Sequence, residues 1–392
     1  MRPSTVIVVL VFSAFAGSSL WFSSNAILNE LNLAMPNSTL NVSDITSAVQ
    51  LGFIIGTLTF ALLNISDRFP AGQVFFISSI LGSLSNALII LMPLSDLTLI
   101  LSRCLTGFFI AGIYPVAVKI SALWSPKNLG RSLGFILAAL VFGTAFPHLI
   151  SGLDLALNWQ SVIFTSSTLA LVGGALVYFV IPEKSSAKRT PNHEGKSLLN
   201  IFKSNDFRAS STGYFGHMWE LYTFWAFVPI ILSAYSAQAN IDLNIPLWSF
   251  FIIASGSIGC AVGGFVSFRL GSARVAFSQL TTSGLCCLIF PIMFLAGPDV
   301  FLIYLLIWGI TVPGDSPQFS TLNARTAPAE IVGSAVTMVI CLGFTLTIVS
   351  IYIFELLMNL FSLQLAVSLL AIGPLFGLYV MYPLYKKNPL FN

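Results

Sequence analysis

Twelve apolar stretches, each of roughly twenty residues or more, follow one another along this chain of 392 residues. A transmembrane helix needs about 20 mainly apolar residues, so each stretch predicts one membrane span. Only 8% of the residues are charged, against about 25% in a soluble domain, and so few charges cannot cover a water-soluble fold. The predicted spans are 5–31, 44–65, 73–93, 97–123, 131–153, 159–181, 210–235, 247–268, 275–296, 300–324, 332–358 and 363–385.

One long polar segment, residues 182–209, divides these spans into six and six. The sequence therefore predicts an all-α membrane protein with an N-terminal six-helix bundle over 1–181, a cytoplasmic linker over 182–209, and a C-terminal six-helix bundle over 210–392. No motif for a nucleotide, a catalytic triad or nucleic acid is present. We expect neither an enzyme nor a cofactor, and no nucleic-acid partner.

The positive charges indicate the orientation of the chain. If the N-terminus is cytoplasmic, the Lys and Arg residues of the loops and termini all fall on the cytoplasmic side, as the positive-inside rule requires. These residues are Arg2, Arg68, Lys127, Arg131, those of the central linker, Arg269, Arg274, Arg325, Lys386 and Lys387. Both termini are therefore predicted to be cytoplasmic.

Short motifs recur in the two halves at one constant offset. The stretch Gly112-Ile113-Tyr114-Pro115 corresponds to Gly314-Asp315-Ser316-Pro317, and Pro126 corresponds to Pro328. Such agreement indicates an internal duplication. Parallel six-helix repeats are one design of secondary transporters, in which the binding site lies between the halves near the bilayer midplane.

Two acidic residues, Glu220 and Asp315, lie within predicted spans of the second half. Both are about 15 Å from the predicted cytoplasmic end of their helices, at 1.5 Å per residue. An ionisable group at the bilayer centre costs about 2.5–3.5 kcal/mol and is a functional-site candidate by default. His217 lies one turn before Glu220 and shares its face. We expect proton exchange at Glu220, Asp315 and His217, with a divalent metal site of the same three side chains as an alternative.

Polar and aromatic side chains are spaced along single faces of four predicted helices. The predicted solute-binding residues are Trp21, Asn25, Arg103, Tyr114, Phe224, Trp308 and Gln318. Arg103 lies inside the fourth span and is a candidate for binding an anion or for tuning a carboxylate. Lys119 lies near the inner end of the same span, where we expect it to extend to the interface, and His148 is a weaker candidate in the fifth span.

Several motifs resemble those of the major facilitator superfamily over the whole chain. Asp67-Arg68, between the second and third spans, matches part of the family motif G-x-x-x-D-R-x-G-R-R, and a second copy keeps Gly264 and Arg269 but has Phe268 in place of the acid. Arg103-x-x-x-Gly107 resembles the motif of the fourth helix. The stretches Gly216–Tyr222 and Asp315–Ser320 resemble a bacterial subgroup.

The resemblance implies the twelve-helix fold of two pseudo-symmetric bundles and a location in a bacterial inner membrane. It implies that helices 1, 4, 7 and 10 line the cavity and that the motif loops gate it, with Asp67, Arg68, Arg131 and Arg269 as gating residues. It also links Arg103 to proton coupling.

The predicted function is secondary active transport of a small polar or anionic solute by alternating access, coupled to protons, by a monomer in the lipid bilayer. Two alternatives are a divalent metal exporter using His217, Glu220 and Asp315, and a non-transporting membrane receptor or assembly factor.

Overall fold

The computed structural model describes residues 1–126, 129–153, 158–184, 198–329 and 331–387, and within these ranges it is helical with no strand. Lys127 and residues 185–197 of the predicted linker lie outside the described residues. The helices of the first half are α1 Pro3–Ser18, α2 Leu28–Ala34, α3 Val42–Leu62, α4 Ile65–Arg68, α5 Ala71–Leu91, α6 Asp96–Ile110, α7 Tyr114–Trp124, α8 Leu129–Gly152 and α9 Trp159–Val180.

The second half contains eight helices among the described residues. They are α10 Asn205–Ala239, α11 Ile245–Leu270, α12 Ser272–Met293, α13 Pro298–Thr311, α14 Ser316–Thr326, α15 Val332–Leu360, α16 Leu363–Leu369 and α17 Ile372–Lys386. Two 3-10 turns, Asn25–Ile27 and Leu198–Lys203, complete the helical structure.

Ten segments of the described residues are long and apolar enough to cross a membrane. They include α6 with α7, α13 with α14, and α16 with α17, each pair counted as one segment. Two predicted spans are not among the ten. The first is represented by the 16-residue helix α1, and the seventh by α10, which carries Asp206, Arg208, His217 and Glu220 along its length.

Four of the predicted continuous helices are interrupted. The predicted span 5–31 breaks after Ser18, where Ser19 and Ser23 donate hydrogen bonds to the carbonyls of Ala16 and Leu20. Hydroxyl groups that bond locally to the backbone compete with helical hydrogen bonds and favour such a break. The other three interruptions are at residues 111–113, 312–315 and 370–371.

The contacts divide the chain into two compact units. The first comprises residues 1–186 and 226–254, and the second comprises 187–225 and 255–392. One boundary falls between residues 186 and 187, within the predicted linker 182–209, and the other two lie within α10 and α11.

Glycines let helices approach at backbone distance in the same way in both units. In the first unit, a Cβ on Gly52 of α3 would lie 1.9 Å from the Cys104 carbonyl oxygen of α6. In the second unit, a Cβ on Gly259 of α11 would lie 1.8 Å from the Ile310 carbonyl oxygen of α13. Small residues serve this close helix packing in membranes, where no hydrophobic effect drives helices together.

Candidate functional site

The Glu220 carboxylate lies at the junction of three helices of the second unit. Its Oε2 accepts a hydrogen bond from Ser283 Oγ at 2.8 Å, and its Oε1 accepts from Trp308 Nε1 at 2.7 Å and from Cys287 Sγ at 3.3 Å. The side chain is fully buried, and no Lys, Arg or His of the described residues lies within ion-pair distance. Neutral donors from α12 and α13 therefore satisfy a carboxyl that has no cationic partner.

The Trp308 ring that donates to Glu220 is held by stacking. Its centroid lies 4.2 Å from that of Phe224, with an interplanar angle of 29°. Phe224 is one turn after Glu220 on α10, so one helix supplies both the carboxyl and the stacking partner. This arrangement brings together Glu220, Phe224 and Trp308, three residues that the sequence singled out.

A second buried acid lies where the tenth predicted span is interrupted. Asp315 directly precedes α14, and its Oδ1 lies 2.7 Å from His217 Nδ1 of α10. The other ring nitrogen of His217, Nε2, shares a hydrogen bond of 2.9 Å with Ser316 Oγ. Asp315 and His217 are both buried, and Asp315 Oδ2 has no hydrogen-bond partner among the described residues.

The alternative metal site is not the arrangement that the structure shows. Glu220 bonds to Ser283, Cys287 and Trp308, whereas His217 and Asp315 pair with each other. Within the described part of the chain, no group of three or more His, Cys, Asp or Glu side chains is arranged to hold a metal ion. Helical spacing places His217 and Glu220 on one face, but it does not make the two side chains converge.

Arg103 of the first unit is fully buried and bonds to neutral groups. Its Nη1 donates to the Leu20 carbonyl at 3.2 Å and to Ser23 Oγ at 3.0 Å, and its Nη2 donates to Asn86 Oδ1. No carboxylate of the described residues lies within ion-pair distance of it. Leu20 and Ser23 lie in the interruption after α1, so the guanidinium ties α6 to a stretch whose backbone lacks regular helical bonds.

The other solute-binding candidates are distributed over both units. Trp21 packs edge-on against Phe53 at 5.1 Å, and Asn25 Nδ2 donates to Thr46 Oγ1 at 2.7 Å. Tyr114 begins α7 and is partly buried. In the second unit, Gln318 is buried on α14, one turn after the interruption. The buried His148 lies in α8 of the first unit, and its Nε2 has no partner among the described residues.

Among the gating candidates, Asp67 forms an ion pair that the sequence did not predict. Lys119 Nζ of α7 lies 2.6 Å from Asp67 Oδ1 and also contacts the Ser66 carbonyl. The prediction that Lys119 extends to the interface did not include this partner, an exposed carboxylate within reach of the ammonium. Arg68 and Arg269 are exposed, and Arg131 lies over the Phe135 ring at 5.8 Å.

Sequence reasoning also missed Ser283 and Cys287 as partners of Glu220. Serine and cysteine are too common in apolar stretches to single out from the sequence. A cavity of about 360 Å³ in the first unit, lined in part by Gln73, Trp124, Tyr178 and Lys184, was missed as well. Its wall comes from three separate helix ends, which no linear motif joins.

Comparison with known proteins places these features in a family. The model of the Major Facilitator Superfamily matches residues 6–350. An uncharacterised transporter, YgaY of Escherichia coli O157:H7, is 24% identical over 209 residues, which are 52% of this chain and 52% of that protein. The YgaY protein of strain K12 is 23% identical over 188 residues, 47% of this chain and 46% of that protein. The chain thus matches about half the length of these relatives.

A solved structure is similar over almost the entire chain. The human organic anion transporter MFSD10 (TETRAN) superimposes with a TM-score of 0.75 at 15% sequence identity, covering 97% of this chain and 100% of that one. At this identity the likeness shows the fold alone. Because the family model spans most of the sequence and the helices are apolar enough to cross a membrane, the chain belongs to the major facilitator superfamily and is a multi-pass membrane protein.

Proposed function

We propose that this protein is a secondary active transporter that moves a small polar or anionic solute across a bacterial inner membrane, coupled to protons. It works as a monomer with twelve spans and cytoplasmic termini, as two six-helix bundles joined by the 182–209 linker. Alternating access of the halves around a midplane site is the mechanism of this class.

The observation that carries the proton coupling is the environment of Glu220. A buried carboxyl without a cationic partner is expensive in its charged form, and three neutral donors offset part of that cost. Ser283 Oγ also lies 3.2 Å from the Leu280 carbonyl. The hydroxyl can therefore donate to an ionised Glu220, or accept from a protonated Glu220 while it donates to Leu280. Both protonation states find partners without rearrangement, which suits a group that gains and loses a proton.

The His217–Asp315 pair supports a second proton-exchanging group in the same unit. An imidazole has two ring nitrogens, which can pass a proton between neighbours. Here those nitrogens face Asp315 and Ser316, at the interruption before α14. In this proposal, a proton gained or lost by His217 or Asp315 changes the contacts of His217 with Asp315 and Ser316, which hold the interruption before α14. Proton binding is thereby linked to helix movement.

Arg103 supports the part of the proposal in which the solute is an anion. A buried guanidinium with only neutral acceptors keeps a net positive charge that a solute anion would offset. The structurally similar protein MFSD10 is named as an organic anion transporter, which agrees with an anionic solute. The ion pair of Lys119 with Asp67 supports gating at the cytoplasmic loop, together with Arg68, Arg131 and Arg269.

The test begins with a screen for solutes that raise the unfolding temperature of the purified protein. Flux of a stabilising solute is then measured in proteoliposomes with and without a pH gradient. We expect Glu220→Gln to keep solute binding but to lose the dependence on the gradient. Asp299→Asn, which alters an exposed acid at the start of α13, is the matched control and should behave as wild type. Full gradient-driven flux in the double variant Glu220→Gln, Asp315→Asn would refute proton coupling through these groups.

A further inference from the structure

Gln50 of α3 is a buried amide without a hydrogen-bond partner in the described part of the chain. Its side chain is fully buried, and neither Nε2 nor Oε1 has a hydrogen-bond partner among the described residues. Gln50 lies about 12 Å along α3 from Val42, at 1.5 Å per residue. It is therefore deep within a membrane-spanning helix, where bulk water does not satisfy an amide.

Gln50 belongs to a row of polar side chains on one face of α3. Ser43, Ser47 and Thr57 are spaced from it by whole turns, so the four side chains share that face. Each of the three is buried, and each hydroxyl oxygen has no hydrogen-bond partner among the described residues. We call these four residues the α3 polar row.

The opposite side of α3 provides its packing within the unit. Gly52 and Gly56 approach the α6 backbone, and a Cβ on Gly107 of α6 would lie 1.9 Å from the Val49 carbonyl oxygen. These positions are separated by three and four residues and form a face of their own. The polar row is therefore not needed for the contact between α3 and α6, and its polarity requires another explanation.

The interruption after α1 contacts α3 and carries two more buried polar groups. Asn25 Nδ2 donates to Thr46 Oγ1, one turn before Gln50, which brings the interruption against α3. Asn25 Oδ1 and Ser24 Oγ are buried and have no partner among the described residues. Both α3 and the interruption after α1 thus carry unsatisfied polar groups, and the hydrogen bond between Asn25 and Thr46 joins the two segments.

Such groups are unfavourable unless a polar molecule, either water or a ligand, supplies their partners. Leaving one buried donor or acceptor unsatisfied costs about 1–3 kcal/mol, and this cluster holds several. Buried polar groups in native proteins are nearly always paired. In a transporter, a cluster of buried polar groups without partners is therefore a candidate for the place where a polar solute makes the missing hydrogen bonds.

We infer that the α3 polar row, with Ser24 and Asn25, binds a neutral solute rich in hydroxyl or amide groups, such as a polyol, a sugar or a small amide. The inference names the solute class within the proposed transport function and rests on it. The oxygens Gln50 Oε1 and Asn25 Oδ1 can only accept, so they need donors, which a hydroxyl or an amide has and a carboxylate lacks. None of the six residues is ionisable, and the nearby Arg103, which bonds to Ser23, disfavours a cation.

The test measures the unfolding temperature of the purified full-length protein, without a pH gradient, against a panel of neutral polyols, sugars and amides and a matched panel of carboxylates. We expect neutral solutes to stabilise wild type. Gln50→Leu should need about tenfold more solute for the same shift, because two lost hydrogen bonds of about 1 kcal/mol each weaken binding by at least that factor. Gln238→Leu, at an exposed glutamine near the end of α10, should respond as wild type.

A second readout needs no ligand. Gln50→Leu removes two unsatisfied groups and keeps the volume of the side chain, so it should unfold at the same temperature as wild type or higher. The inference is overturned if no neutral solute stabilises wild type, if Gln50→Leu keeps the full solute response, or if the variant alone unfolds at a lower temperature. Glu220→Gln should retain the solute response in this assay. Failure of the solute site is thereby distinguished from failure of proton coupling, which only the flux measurement reports.

Discussion

The contact between His217 and Asp315 provides the sharpest test of the second unit's geometry. The two side chains are 1% and 0% exposed, and Nδ1 and Oδ1 are 2.7 Å apart. Removing one partner of a buried pair costs about 3–5 kcal/mol, because the other group stays buried without its partner. We therefore expect His217→Ala and Asp315→Ala each to lower the free energy of unfolding by about that amount.

The double variant should lose less than the sum of the two single losses. Residues in direct contact show coupling energies of about 0.5–3 kcal/mol, and the short distance and full burial predict the upper part of that range. The assay is equilibrium unfolding of the purified protein in detergent micelles, followed by tryptophan fluorescence. Additive effects of the two substitutions would refute the pairing.

An exposed pair in the same unit supplies the matched control. Lys387 Nζ lies 2.6 Å from Asp206 Oδ1, but the side chains are 46% and 44% exposed. Exposed pairs contribute about 0–1 kcal/mol, since solvent screens them. Equal coupling in the two cycles would mean that burial does not strengthen the His217 contact, contrary to our reasoning.

Three further outcomes follow from the structure. Gly107→Ala should lower the free energy of unfolding by about 1–3 kcal/mol, because its Cβ would overlap the Val49 carbonyl oxygen, whereas Gly333→Ala, with open space around it, should be close to neutral in the same unfolding assay. Arg103→Lys should cost about 1–3 kcal/mol, because an ammonium cannot span the acceptors that the planar guanidinium reaches; wild-type thermal stability would contradict this. Lys119→Gln should change stability by less than about 1 kcal/mol yet slow solute flux in proteoliposomes, and an unchanged flux rate would remove its loop contact from the gating proposal.

The membrane fold could be predicted from the sequence because hydropathy acts over about twenty residues at a time. The spans from α3 to α9 and from α11 to α17 begin and end within several residues of the predicted bounds. The interruptions could not be predicted as firmly. Gly112 and Gly314 lie in two of them, yet the sequence predicted continuous spans there, and the break after Ser18 depends on serine hydroxyls that bond back to the chain. The count of twelve spans and the division at 182–209 remain predictions.

Of the candidate site, only the residues whose burial in a membrane costs the most free energy could be predicted from the sequence. Glu220 and Asp315 stood out because a carboxyl in an apolar helix needs a reason to be there. Their partners did not stand out, because serine and cysteine are ordinary residues in a membrane helix. Only the packed structure shows that Ser283 and Cys287 lie on the side of α12 that contacts Glu220. Gln50 was missed for a related reason: its lack of partners is a property of the packed structure and leaves no trace in residue spacing.

The central claim is that the acidic groups buried in this conformation are reached by water in another one. The most direct measurement treats wild-type proteoliposomes with a water-soluble carbodiimide and an amine, under an imposed pH gradient, and quantifies modification of each carboxyl by mass spectrometry. The exposed Asp242 and Asp299 report that the reagent is active. We predict that Glu220 is modified during cycling, more slowly than these controls. An unmodified Glu220 and an unmodified Asp315 beside fully modified controls would contradict proton coupling through them.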